Sequence, residues 1–88
     1  MEKYESPLGS VELTEERLTH ILEFHPEIKS YKKYFSKTLS HPEIIRTSKS
    51  DSKSFILYKS VSKYNLAIVI KTNSRNFILT AYLTSNQL

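Results

Sequence analysis

Past Pro42 the hydrophobic pattern changes from a helical to an alternating period, and this switch constrains the fold more than any other feature of the chain. Four segments rich in Ile, Val, Phe, Tyr and Thr follow, at 43–48, 54–61, 65–72 and 76–85, and each predicts a strand. The stretches between them are polar and span only 49–53, 62–64 and 73–75. A parallel crossover needs a dozen or more residues, so connections this short leave antiparallel hairpins. Upstream the period is helical. Thr14 can cap a first helix whose opening turn carries Glu15 and Glu16, and Leu18, Ile21 and Leu22 recur along it until Pro26 stops it. A second helix is expected over 28–40, with Ile28, Tyr31, Phe35 and Leu39 as its apolar stripe. It stops at His41-Pro42, so the tetrapeptide His-Pro-Glu-Ile stands at both stops, 25–28 and 41–44. In each copy Pro ends one element and pre-shapes the next. Pro7-Leu8-Gly9-Ser10 is a turn signal that sets residues 1–6 apart as an extra edge strand or a loose tail. The expected fold is a single α+β domain over 1–88. Its two N-terminal helices pack on one face of a four-stranded antiparallel β-meander, and the other face is left open for function.

Length and composition narrow the chemistry. At 88 residues the chain holds one domain, and without Cys it has neither a disulfide framework nor a thiolate metal site. A single glycine excludes the Gly-rich loops that cradle nucleotides. The three histidines lack a ligating spacing, so no metal and no cofactor are expected. The apolar run from Leu66 to Ile70 is far too short to cross a membrane, and the N-terminus lacks a leader pattern. A cytoplasmic protein without membrane contact is therefore expected. Charge is divided unevenly. Residues 1–43 carry six cationic and eight anionic side chains, whereas residues 44–88 carry seven cationic side chains against Asp51 alone. A half with a balance of +6 favours a polyanion such as nucleic acid.

Alternation then divides the strands into faces. On the last strand Phe77, Leu79, Ala81 and Leu83 are expected in the core, with Ile78, Thr80, Tyr82 and Thr84 outward. The third strand buries Leu66, Ile68 and Ile70 and turns Lys71 outward. The second strand does not decide between Phe55, Leu57 and Lys59 or Ile56, Tyr58 and Ser60 as its outward set. Lys71, Thr80, Tyr82 and Thr84, with Tyr58 or Lys59, are expected to form a surface for phosphates and bases. Of the histidines, His20 reads as exposed on the first helix, while His25 and His41 read as structural residues at the two stops.

The run Glu16-Arg17-Leu18-Thr19-His20-Ile21-Leu22-Glu23-Phe24-His25-Pro26-Glu27 is followed by Lys37-Thr38-Leu39-Ser40-His41-Pro42-Glu43-Ile44-Ile45. The chain then closes with Phe77-Ile78-Leu79-Thr80-Ala81-Tyr82-Leu83-Thr84. These runs resemble the phage-associated nuclease-like domains of the barnase–EndoU–colicin–RelE superfamily over roughly residues 14–85, most tellingly in the Thr-Ala-Tyr-x-Thr ending. The resemblance implies a metal-independent endoribonuclease of toxin type that cleaves tRNA or mRNA, with a cognate antitoxin or immunity protein as a second partner. By position, His20, Thr80 and Tyr82 match the family's motif, and Arg17, Tyr58 and Lys59 match it more loosely. Lys71, Thr84 and Lys63 are expected as further RNA-binding positions. Cleavage through the 2′-hydroxyl needs a proton acceptor, a proton donor and cations around the phosphorane. His20 suits proton transfer near neutral pH, and Lys59, Lys71 or Arg17 suits the charge. Thr80 and Thr84 can donate to phosphate oxygens while Tyr82 stacks on a base. A non-catalytic RNA-binding module and a protein-interaction domain on the same fold are the alternatives.

Overall fold

The computed structural model describes residues 1–85. Strands β1 (Glu2–Tyr4) and β2 (Val11–Leu13) form a hairpin and lead into helix α1 (Glu15–Phe24). Two 3-10 segments, Pro26–Ser30 and Lys32–Tyr34, run into the short helix α2 (Phe35–Ser40). Strands β3 (Ile44–Thr47), β4 (Ser54–Val61), β5 (Tyr64–Thr72) and β6 (Asn76–Thr84) complete the chain. The sheet is six-stranded and mixed, in the order β1-β2-β6-β5-β4-β3, with β2 and β6 parallel and every other neighbouring pair antiparallel.

The expected pair of helices on a four-stranded meander is therefore wrong in two respects. The first lies in residues 1–13. Gly9 takes a φ of 103°, which only glycine adopts without strain, and closes the β1–β2 hairpin. Val11 and Leu13 alternate inward and are fully buried, so β2 has an apolar reason to dock. It docks beside β6 at Glu12 and Phe77, where Arg75 grips Glu12 with two hydrogen bonds of 3.1 Å. Tyr4 and the ion pair from Glu2 to Lys32 hold β1 against the helical layer.

The second error lies in the helix expected over 28–40, which is broken. Ile28, Tyr31 and Tyr34 recur every three residues, and on a 3-10 helix side chains at i and i+3 eclipse. That winding puts all three on one side, with Ile28 fully buried and both tyrosines packed on the core. Regular α-helix resumes at Phe35, where Phe35, Thr38 and Leu39 are buried. The helical segments supply Ile21, Ile28, Phe35 and Leu39 to one cluster with Leu57, Val61, Leu66, Ile68, Ile70, Ile78 and Ala81 from the sheet.

A β-bulge corrects the face assignment of the last strand. Val69 pairs with Thr80, but Ile70 pairs with Ile78, so Leu79 is an extra residue in β6. Ala81 keeps its inward position, while upstream of the bulge the phase is reversed. Ile78, expected outward, is fully buried, and Phe77 and Leu79, expected in the core, are only half-buried. Among the described residues no helix is long and apolar enough to cross a membrane.

Candidate functional site

The sheet face away from the helical layer carries two rows of side chains. Ile44, Tyr58, Ala67 and Tyr82 stand side by side across β3, β4, β5 and β6, and Arg46, Ile56, Val69 and Thr80 form the next row. Ala67 is fully buried between Tyr58 on β4 and Tyr82 on β6. Burial, and then the neighbouring Tyr58 hydroxyl, push the Tyr82 phenol above its ordinary range, so Tyr82 stays a neutral hydrogen-bonding group. The Arg46 guanidinium lies 5.7 Å from the centre of the Tyr58 ring, within cation–π range.

α1 forms the wall of this floor. β2 pairs with β6 only at its start, and α1 then follows β6 in the same direction. Arg17, His20, Phe24 and His25 line one cleft with Leu79 and Thr80, about 350 Å³ in volume. The local sequence explains the placement. The Thr14 hydroxyl accepts from the Arg17 N–H at 3.1 Å, which fixes where α1 starts and hence which face carries Arg17, His20 and Phe24. The His20 ring packs on Phe24 with centroids 4.9 Å apart, and Phe24 is 67% exposed, an apolar ring turned to solvent beside a polar cleft. The His25 ring lies 6.1 Å from that of Tyr82.

The residues expected at the site are thus divided. His20, Arg17 and Thr80 share the cleft, and Tyr82 and Tyr58 continue it along the open face. Register settles the orientation of the second strand. Phe55, Leu57 and Lys59 align with the inward residues of β5, whereas Ile56, Tyr58 and Ser60 align with its outward ones. Lys59 is therefore on the helix-covered face, where its ammonium donates to the His41 carbonyl at 3.1 Å. Lys71 is on the open face but is paired with Asp51. Asp51 also accepts from the Lys53 N–H and the Ser54 hydroxyl, each at 3.0 Å, and the Lys71 ammonium above all holds its carboxyl at about 2. Lys63 is exposed in the two-residue turn between β4 and β5, where Ser62 takes a φ of 57°. Thr84 pairs with Asn65, about 13 Å along β6 from Thr80 by the rise of a strand. Neither Lys63 nor Thr84 lines the cleft.

Sequence reasoning did not single out Arg46 or Phe24, and it reads His25 as a structural residue at the helix stop. The aromatic at 24, four residues after His20 and just before a helix-stopping Pro, was the available signal for one of them. Arg46 could be read only once the register of β3 against β4 was known. Among the described residues, no three His, Cys, Asp or Glu side chains are grouped so as to hold a metal ion. No protein-family model matches this chain, no curated protein does, and no solved structure does.

Proposed function

We propose that the chain is a metal-independent endoribonuclease that lays a single strand of RNA across the open sheet face and cleaves it beside α1. The observation that carries this reading is the cleft itself, which brings His20, Arg17 and Thr80 together at the end of a tyrosine-lined floor. His20 takes the proton from the 2′-hydroxyl, Arg17 balances charge on the phosphorane, and Thr80 donates to a phosphate oxygen. Tyr58, Tyr82 and the exposed Phe24 offer rings to bases that have left a stack, which suits unpaired rather than duplex RNA. Arg46 extends the cationic character to the far edge of the floor.

The test is incubation of the purified protein with total RNA in EDTA, followed by mapping of new 5′ ends. New 5′-hydroxyl ends at defined positions are expected, and His20→Ala should suppress them by about 10²–10⁴. RNA left intact by the wild-type protein under any salt condition would overturn the reading. A module that binds RNA without turnover is the second reading. It is favoured by the engagement of Lys59 and Lys71 in contacts within the fold, which leaves fewer cations for a phosphorane. Salt-dependent binding without cleavage would decide for it.

A further inference from the structure

The cleft contains two imidazoles, and the reaction proposed above uses one. We infer that His25 is the second catalytic group, the acid that protonates the departing 5′-oxygen while His20 serves as the base. The inference rests on the endoribonuclease reading and deepens it.

The geometry turns on how α1 stops. On a continuing α-helix, residue 25 would stand about 140° around the axis from residue 20 and would face another surface. His25 instead leaves the helix at φ −135° and ψ 69°, ahead of Pro26, and both rings line the same cleft. The stop itself does not require imidazole, because the bond that caps α1 is made by the backbone. The His25 N–H donates to the Ile21 carbonyl at 2.7 Å, which any residue with an N–H could do. The ring is not a core residue either, being 36% exposed.

Groups from three elements face that ring. The Glu27 carboxylate, on the 3-10 segment, lies 3.7 Å from Nδ1 and forms an ion pair when the ring is protonated. It engages the Nδ1 side, so Nε2 is the atom that serves a ligand in the cleft. The Tyr82 ring, on β6, flanks the imidazole with its centroid 6.1 Å away. From α1, Arg17 and His20 share the cleft, and Thr80 faces them from β6.

The step balances within the site. The 2′-oxygen gives its proton to His20 and bonds to phosphorus, the bond from phosphorus to the 5′-oxygen breaks, and His25 passes its proton to that oxygen. The products are a 2′,3′-cyclic phosphate and a 5′-hydroxyl end, and water returns the proton between the two rings.

An oligoribonucleotide spanning a mapped cleavage position tests the assignment when it is compared with the same oligomer carrying sulfur as the 5′-bridging atom there. A thiolate departs without a proton, so only cleavage of the oxygen substrate needs an acid. His25→Ala should lower kcat/KM on the oxygen substrate by about 10²–10⁴ and leave the sulfur substrate nearly untouched, whereas His20→Ala should impair both. The alkaline limb of the pH profile on the oxygen substrate should disappear in the same variant. His25→Gln, which keeps bulk against Tyr82 but transfers no proton, should behave likewise and covers the case in which the alanine variant fails to fold. Equal losses on both substrates, or no loss on either, would overturn the role of His25 and leave the endoribonuclease reading standing. A wild-type protein that cleaves no RNA would overturn both.

Discussion

The two copies of His-Pro-Glu-Ile share a backbone conformation and diverge in everything built on it. His25 ends α1 at φ −135° and ψ 69°, and His41 ends α2 at φ −136° and ψ 61°. In both, the histidine N–H closes the last helical turn on a carbonyl four residues back, of Ile21 in one case and Lys37 in the other. The proline then prevents the helix from continuing. Beyond that point the first copy winds into a 3-10 segment and buries Ile28 completely, while the second opens into β3 and places Ile44 half-exposed on the sheet. The first histidine ring faces the cleft. The second is tied to its neighbour, with Nδ1 2.9 Å from the Ser40 hydroxyl, and its carbonyl accepts from Lys59. The tetrapeptide thus specifies how a helix stops, and the surface it meets next decides what the following residues become.

The largest contrast should be in activity. His25→Ala is expected to lower cleavage of RNA by about 10²–10⁴ while His41→Ala leaves it unchanged, although the two residues occupy equivalent local positions. Thermal denaturation should show both variants within about 0.5 kcal/mol of the wild type, because neither ring fills the core and both backbone caps survive the substitution. Equal effects of the two substitutions on cleavage would dissolve the distinction between a working imidazole and a punctuating one.

The isoleucines supply the next contrast, in stability. Ile28→Ala removes a fully buried side chain between the helical layer and the sheet, and should cost about 2–5 kcal/mol in denaturant unfolding. Ile44→Ala removes a half-exposed side chain beside Tyr58 and should cost about 1 kcal/mol. A reversal of that order would mean that the open face, not the helix-covered one, carries the cohesion of the domain.

What could be read in the sequence follows the same division between local and distant causes. Thr14 as a cap, the two proline stops and the three hairpins of β3–β6 are set by residues a few positions apart, and the hydroxyl of Thr14 does accept where α1 begins. The bulge at Leu79 has no local signature, because Phe77 to Leu83 alternates as a regular strand would. It arises from register against β5, with the bulge absorbing one residue between Thr80 and Ile78. The β1–β2 hairpin announced its turn at Gly9, yet its parallel docking on β6 depends on an edge some 65 residues away in the chain. At the site, the faces of His20 and Thr80 were legible from helical spacing and from strand alternation, whereas Arg17 entered only through the resemblance. Lys59 and Lys71 were misleading, since charge in a sequence does not reveal whether a carbonyl or a carboxylate of the same fold already holds it.

The smallest contrast concerns the glutamates of the two copies, and it isolates what a single acceptor contributes at a strand end. β3 begins at Ile44, opposite Tyr58, so the N–H of Ser60 lies past the end of the ladder that β3 offers to β4. Glu43 fills the gap, its carboxylate accepting from that N–H at 3.1 Å while its own N–H donates to the Tyr58 carbonyl at 2.8 Å. Among the described residues, Glu27 accepts from no backbone N–H and pairs with a half-exposed histidine ring. Replacing Glu43 by Ala should therefore cost about 0.5–1 kcal/mol, the low end for a lost hydrogen bond, because water can reach the exposed N–H and take over part of the role. Replacing Glu27 by Ala should change stability by less than about 0.5 kcal/mol, as expected for an exposed ion pair. Amide exchange at Ser60 sharpens the comparison, since Glu43→Ala should speed it while Glu27→Ala leaves it alone. Unchanged protection at Ser60 in the Glu43 variant would show that the N–H has another acceptor, and the side chain would then have no part in ending the strand.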